Sequence, residues 1–197
     1  MSISRSSTSS LQNAFPKYNN IWDGRSAVGS MDAIGVVVLP SNTSGITDIT
    51  FSSIPQTYSH LQLRLFAQTS ASGTGFSGYD TYFNSDNTAT NYWRHYLIGT
   101  GAAVGNGGSN GNAFGYGNGG NSLSKPYGVT IIDIFDYTNT NKKTTSKAVS
   151  VSENNDTTGY VIYNSLLWNN TSAVTTIRIN SFYAWTAYSS FALYGIK

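Results

Sequence analysis

The chain has 197 residues and a formal charge of +2, and its lysines and arginines are scattered rather than massed. No basic stripe grips a phosphate backbone, so nucleic-acid binding is disfavoured. Charged residues make up 10% of the sequence, against about 25% in an ordinary domain, and cysteine is absent, so neither disulfides nor thiolate metal sites hold the fold.

Residues 1–32 differ from the rest. Six of the first ten residues are serine, without the apolar core of a signal peptide. No run approaches eighteen apolar residues, so the expected protein is soluble, with no membrane partner and no secretion address. Leu11, Phe15, Tyr18 and Trp22 recur at helical spacing, but Pro16 interrupts them. A short helical turn followed by extended chain is expected. Together with Ile21 these side chains form a docking set: a bare segment cannot bury them by itself, so the arm either docks on another subunit or folds back over its own domain.

From Ala33 onward, apolar residues alternate with polar ones. Strands are expected over 33–39, 46–51, 59–68, 79–84, 92–98, 129–137, 144–152, 160–168, 174–180 and 191–196. The clearest alternation places Leu61, Leu63, Leu65 and Ala67 on one face and His60, Gln62, Arg64, Phe66 and Gln68 on the other, and Pro55 separates this strand from the one before it. Val129, Ile131, Phe135 and Tyr137 oppose Ile132 and Ile134, which predicts a central strand covered on both sides. Ile177 and Ile179 alternate with Thr176, Arg178 and Asn180, as in a sheet with one wet face. Ten of the twenty glycines lie in 99–120, which reads as a long loop, flexible or held by a neighbouring copy. Ten short strands with long crossovers predict an all-β fold: an antiparallel β-sandwich of jelly-roll type over 33–197, preceded by an extended N-terminal arm over 1–32.

Chemistry is sparse. Gly115, Gly117 and Gly120 satisfy G-x-G-x-x-G, yet no helix or βαβ unit surrounds them, so no nucleotide site is expected. His60 and His95 each sit in a strand as satisfied imidazoles rather than general bases. Asp133 and Asp136 point to opposite faces and make no glycosidase pair without a bulge, and Glu153 is the only glutamate. Asp80 and Asp86 flank Asn84 and Asn87 in a turn better suited to capping hydrogen bonds than to a cation. No catalytic residue, metal or cofactor is therefore expected, and the protein is not read as an enzyme. Two ring clusters remain, Trp93 with Tyr92 and Tyr96, and Phe182 with Tyr183, Trp185 and Tyr188. They serve as core, as a subunit interface or as platforms for a host glycan.

The successive segments ITFSSIPQTYSHLQLR (49–64), YFNSDNTATNYWRHYLIGTG (82–101), IIDIFDYTNTNKKTTSKAVS (131–150), LLWNNTSAVTTIRI (166–179) and FALYGIK (191–197) resemble a β-rich module of virion structural proteins of tailed phages, especially aquatic and cyanobacterial ones. The resemblance covers most of 33–197 and keeps the order of the segments. It implies a non-enzymatic particle component. The expected function is a capsid decoration or cement protein on the outer surface of the head, trimeric, bound to the major capsid protein through the arm. The competing expectation is a receptor-binding module of a tail fibre or spike that holds host surface glycans. The 182–188 stretch is more aromatic than the module usually is at that point, which implies a partner of its own.

Overall fold

The computed structural model describes residues 31–72, 76–119, 127–153 and 159–197. The docking set Leu11, Phe15, Tyr18, Ile21 and Trp22, and the helical turn expected beside it, lie outside the described residues.

Among the described residues, twelve strands form two antiparallel sheets. They are β1 (Met31–Val38), β2 (Asp48–Phe51), β3 (His60–Ala67), β4 (Phe76–Phe83), β5 (Tyr92–Gly99), β6 (Val104–Asn110), β7 (Ala113–Asn118), β8 (Gly128–Phe135), β9 (Thr144–Glu153), β10 (Gly159–Trp168), β11 (Ile177–Ser181) and β12 (Ser190–Ile196). The large sheet runs β1-β12-β3-β8-β9-β10-β5-β6 and the small one β2-β11-β4-β7. Among the described residues the one helical element is a 3-10 turn at Ala89–Asn91. The expected all-β architecture of two antiparallel sheets is present.

The core lies between the sheets. The period-two pattern of β3 does what the sequence asks: Leu61, Leu63, Leu65 and Ala67 are buried, and Phe66 is half exposed on the other face. Register then builds the inner face, because Leu63 lies opposite Ile132 on β8 and Leu193 on β12. From the small sheet come Ile49, Phe51, Phe83, Ile177 and Ile179, all buried. Ile177 and Ile179 point inward while Arg178 and Asn180 face outward, as expected for a sheet with one wet side.

β1 spans Met31–Val38 where a strand over 33–39 is expected, and it is tied down by pairing of Met31 with Ile196 and by an Asp32–Lys197 ion pair of 2.9 Å. Two expectations need correcting. The glycine-rich stretch 99–120 is not a loop: it holds β6 and β7, paired to β5 and β4. Its alternation is invisible because neighbours supply the side-chain volume. A methyl group on Gly107 would stand 2.9 Å from the Tyr96 ring, and one on Gly115 would fall 2.1 Å from the Tyr79 ring. These glycines let rings lie across the backbone. Finally, β8 is central but not covered on both sides. Val129 and Ile131 are exposed. Tyr137 does not share their face, because Asp136 adopts φ +47° and ends the strand's alternation, leaving Tyr137 buried with its hydroxyl on the Pro55 carbonyl.

Candidate functional site

Among the described residues, Asp80, Asp86, Asp133, Asp136 and His60 are each engaged in hydrogen bonds or ion pairs. Asp86 accepts from the Trp168 indole (2.8 Å), the Asn91 amide (2.9 Å) and the Thr88 backbone (3.0 Å). Desolvation pushes its carboxyl up, but these bonds outweigh it and hold it below the ordinary range. Asn84 Oδ1 accepts from the backbone amides of Thr175 (2.8 Å) and Thr176 (3.1 Å). The 80–87 turn is thus a capped connection. Asp80 belongs to β4, where burial raises its carboxyl against the Tyr82 hydroxyl donating to it at 3.0 Å and the nearby Arg94.

Asp133 accepts from Gln62 Nε2 (2.7 Å) and lies 3.3 Å from Lys147, while Asp136 holds Lys142. His60 Nδ1 accepts from the Asp136 amide at 3.0 Å. Among the described residues no three His, Cys, Asp or Glu side chains are grouped to hold a metal ion. Of the G-x-G-x-x-G glycines, Gly115 and Gly117 lie in β7, under Tyr79 and near Trp185, and Gly120 is outside the described residues.

The aromatic candidates divide. Trp185 is 1% exposed, wedged between Tyr79 and Phe191 with ring centroids 5.5 and 5.0 Å away, and its indole donates to the Thr47 carbonyl at 3.0 Å. It is a core residue and offers no face to a sugar. Tyr183 and Tyr188 are exposed beside Phe182 in the β11–β12 connection, and Tyr188 is held at φ +65°. Trp93 is exposed far from them, on the outer face of β5 beside Leu167 and Thr145. The structure therefore does not bring the four rings together.

What it does assemble is a surface that the sequence did not single out. On the outer face of the large sheet, cross-strand register aligns side chains into two adjacent rows. One runs Phe66, Val129, Val151, Val161. The other runs Arg64, Ile131, Val149, Tyr163, Leu97. Every apolar member of both rows is between 36% and 56% exposed. Val36 and Val38 on β1 and Val104 on β6 extend this belt to both edges of the sheet. Arg64 turns away along its border, donating to Gln62 at 2.7 Å with its guanidinium over Tyr194. Gln62, Asp133 and Lys147 continue that border as a neutralised chain. The small sheet's outer face is the opposite in character: Asp48 pairs with Arg178 (3.3 Å) and Asn180 (3.1 Å), and Arg178 covers Tyr82.

Valines alternating with serines over 149–152 mark two faces, but alternation does not say which is wet. That required the position of the second sheet. No family model, curated protein or solved structure matches the chain.

Proposed function

We propose that the chain is a structural component of a tailed-phage virion, a decoration or cement protein on the outer surface of the head. In this reading residues 1–30 dock on the capsid protein and the sandwich reinforces the junction. The observation that carries it is that, among the described residues, most acids and bases are engaged in internal pairs while a broad apolar face is exposed. Such a molecule is equipped to bury surface against other proteins rather than to turn over a substrate. Its mechanism is physical: each buried contact must be exposed again before the shell can expand, so binding lowers the free energy of the assembled state.

The strand order supports reading the sandwich as a jelly-roll variant. In a jelly roll the chain alternates between sheets, giving orders first-eighth-third-sixth and second-seventh-fourth-fifth. The small sheet β2-β11-β4-β7 follows the former. The run β3, β8-β9-β10, β5, β6 follows the latter, with a three-strand meander in the seventh place, and an odd number of antiparallel strands preserves the direction of its neighbours. β1 and β12 are then additions beside β3.

Deleting residues 1–22 tests the arm: a folded domain that no longer binds particles is expected, and undiminished decoration by the truncated protein refutes it. The exposed rings Phe182, Tyr183 and Tyr188 favour a second reading, a glycan-holding module of a tail fibre or spike. Stoichiometry in purified virions separates the two, on the order of hundreds of copies for the shell and a few dozen or fewer for the tail.

A further inference from the structure

We infer that the apolar belt on the large sheet is a homotypic interface, and that its occupant is the same belt on a second copy of this chain, related by a two-fold axis passing near Val149 and Val151. This deepens the structural reading above and rests on it, because it says how copies join.

Area comes first. The exposed portions of the belt residues amount to roughly 1,000 Å² per copy, which is what one side of a stable interface presents, whereas an ordinary monomer's largest apolar patch is about 300–600 Å². Electrostatics comes next. The belt's one charge, Arg64, is turned to its border and engaged with Gln62 and Tyr194, and the next row pairs Asp133 with Lys147 at 3.3 Å. The face is thus neutral and needs no oppositely charged partner, so an identical face suits it. Shape follows from register. Val149 and Val151 lie on β9, the middle of the β3-to-β5 span where the rows are continuous. Two such sheets stack face to face with their strands within about 30° of each other, which superposes both belts along their length. A self-complementary face pairs with its like about a two-fold axis, so the proposal is a dimer rather than the trimer named among the expectations.

The test uses the full chain. Sedimentation equilibrium is expected to give twice the 21.2 kDa chain mass, with Val149→Lys raising the dissociation constant at least ~10-fold and Leu97→Lys, off the centre, raising it less. Thr50→Lys, on the polar face of the small sheet, should change nothing. Circular dichroism identical to the parent confirms that each variant folds. Stacked sheets stand about 10 Å apart, too far for a disulfide, so a single Val151→Cys in this cysteine-free chain should cross-link through a short bismaleimide. Thr50→Cys should not. A single-copy mass at about 100 µM overturns the proposal, since that is the result if the chain's own first thirty residues cover the belt; the threshold is a weak interface by any standard. A three-copy mass, or a two-copy mass untouched by Val149→Lys, overturns it equally. Particle decoration is scored separately: a Val149→Lys monomer that still binds shells leaves the cement reading standing, and a dimer that binds none leaves the interface standing.

Discussion

Trp185→Ala should unfold the protein's margin of stability rather than remove a binding function. The indole is fully buried, touches Tyr79 and Phe191, and donates to the Thr47 carbonyl. Burying a tryptophan removes about 250 Å² from water, a gross transfer gain of roughly 6 kcal/mol. Because the vacated site collapses only in part, measured losses for such truncations are about 3–5 kcal/mol, and the stranded carbonyl adds about 1 kcal/mol. Against a typical total of about 5–15 kcal/mol, this is about a quarter or more of the whole. Trp185→Phe keeps a ring between Tyr79 and Phe191 and loses the indole donor, so it should cost about half as much. Urea denaturation followed by far-ultraviolet circular dichroism is the suitable assay, because the substitution also removes one of four tryptophan fluorophores. The reasoning is refuted if Trp185→Ala lowers stability by less than about 1.5 kcal/mol.

Two further substitutions probe features that local pattern conceals. Gly115→Ala should be among the most damaging single-methyl changes in the chain, costing about 3 kcal/mol or more, because the new Cβ would overlap the buried Tyr79 ring; a soluble, cooperatively folding variant with parental stability would contradict it. Asp86→Asn should weaken the fold by about 1–2 kcal/mol at pH 7 by removing charge-assisted bonds from Trp168 and Asn91. The folded carboxyl of Asp86 is depressed, so its contribution is complete above the ordinary value of 3.8 and is lost as pH falls through the lower folded value. Parent and variant should therefore converge in stability as the medium is acidified below that range. Asp80 acts in the opposite sense, since its raised carboxyl favours the fold on protonation, and Asp86→Asn leaves that response in place. A difference independent of pH would show that Asp86 acts through shape alone.

Much of this molecule is legible residue by residue. The alternation in 61–67, the break at Pro55 and the inward Ile177 and Ile179 define strands and their core face, because a pleated chain sends successive side chains to opposite sides whatever lies around it. Turn residues likewise separate the segments. Three things escaped. β6 and β7 were hidden because a glycine strand carries no pattern of its own; its partners' rings fill the space that side chains would. Trp185 was ambiguous because a ring in a connection reads the same whether it faces water or the core. The apolar belt was the largest omission: Val129, Ile131, Val149, Val151, Val161 and Tyr163 come from three strands, and only hydrogen-bonded register sets them side by side. Sequence alone decided which residues share a face of each strand. The tertiary structure decided which face the four-stranded sheet covers, since burial depends on what stands opposite, and that information is distributed over the whole chain.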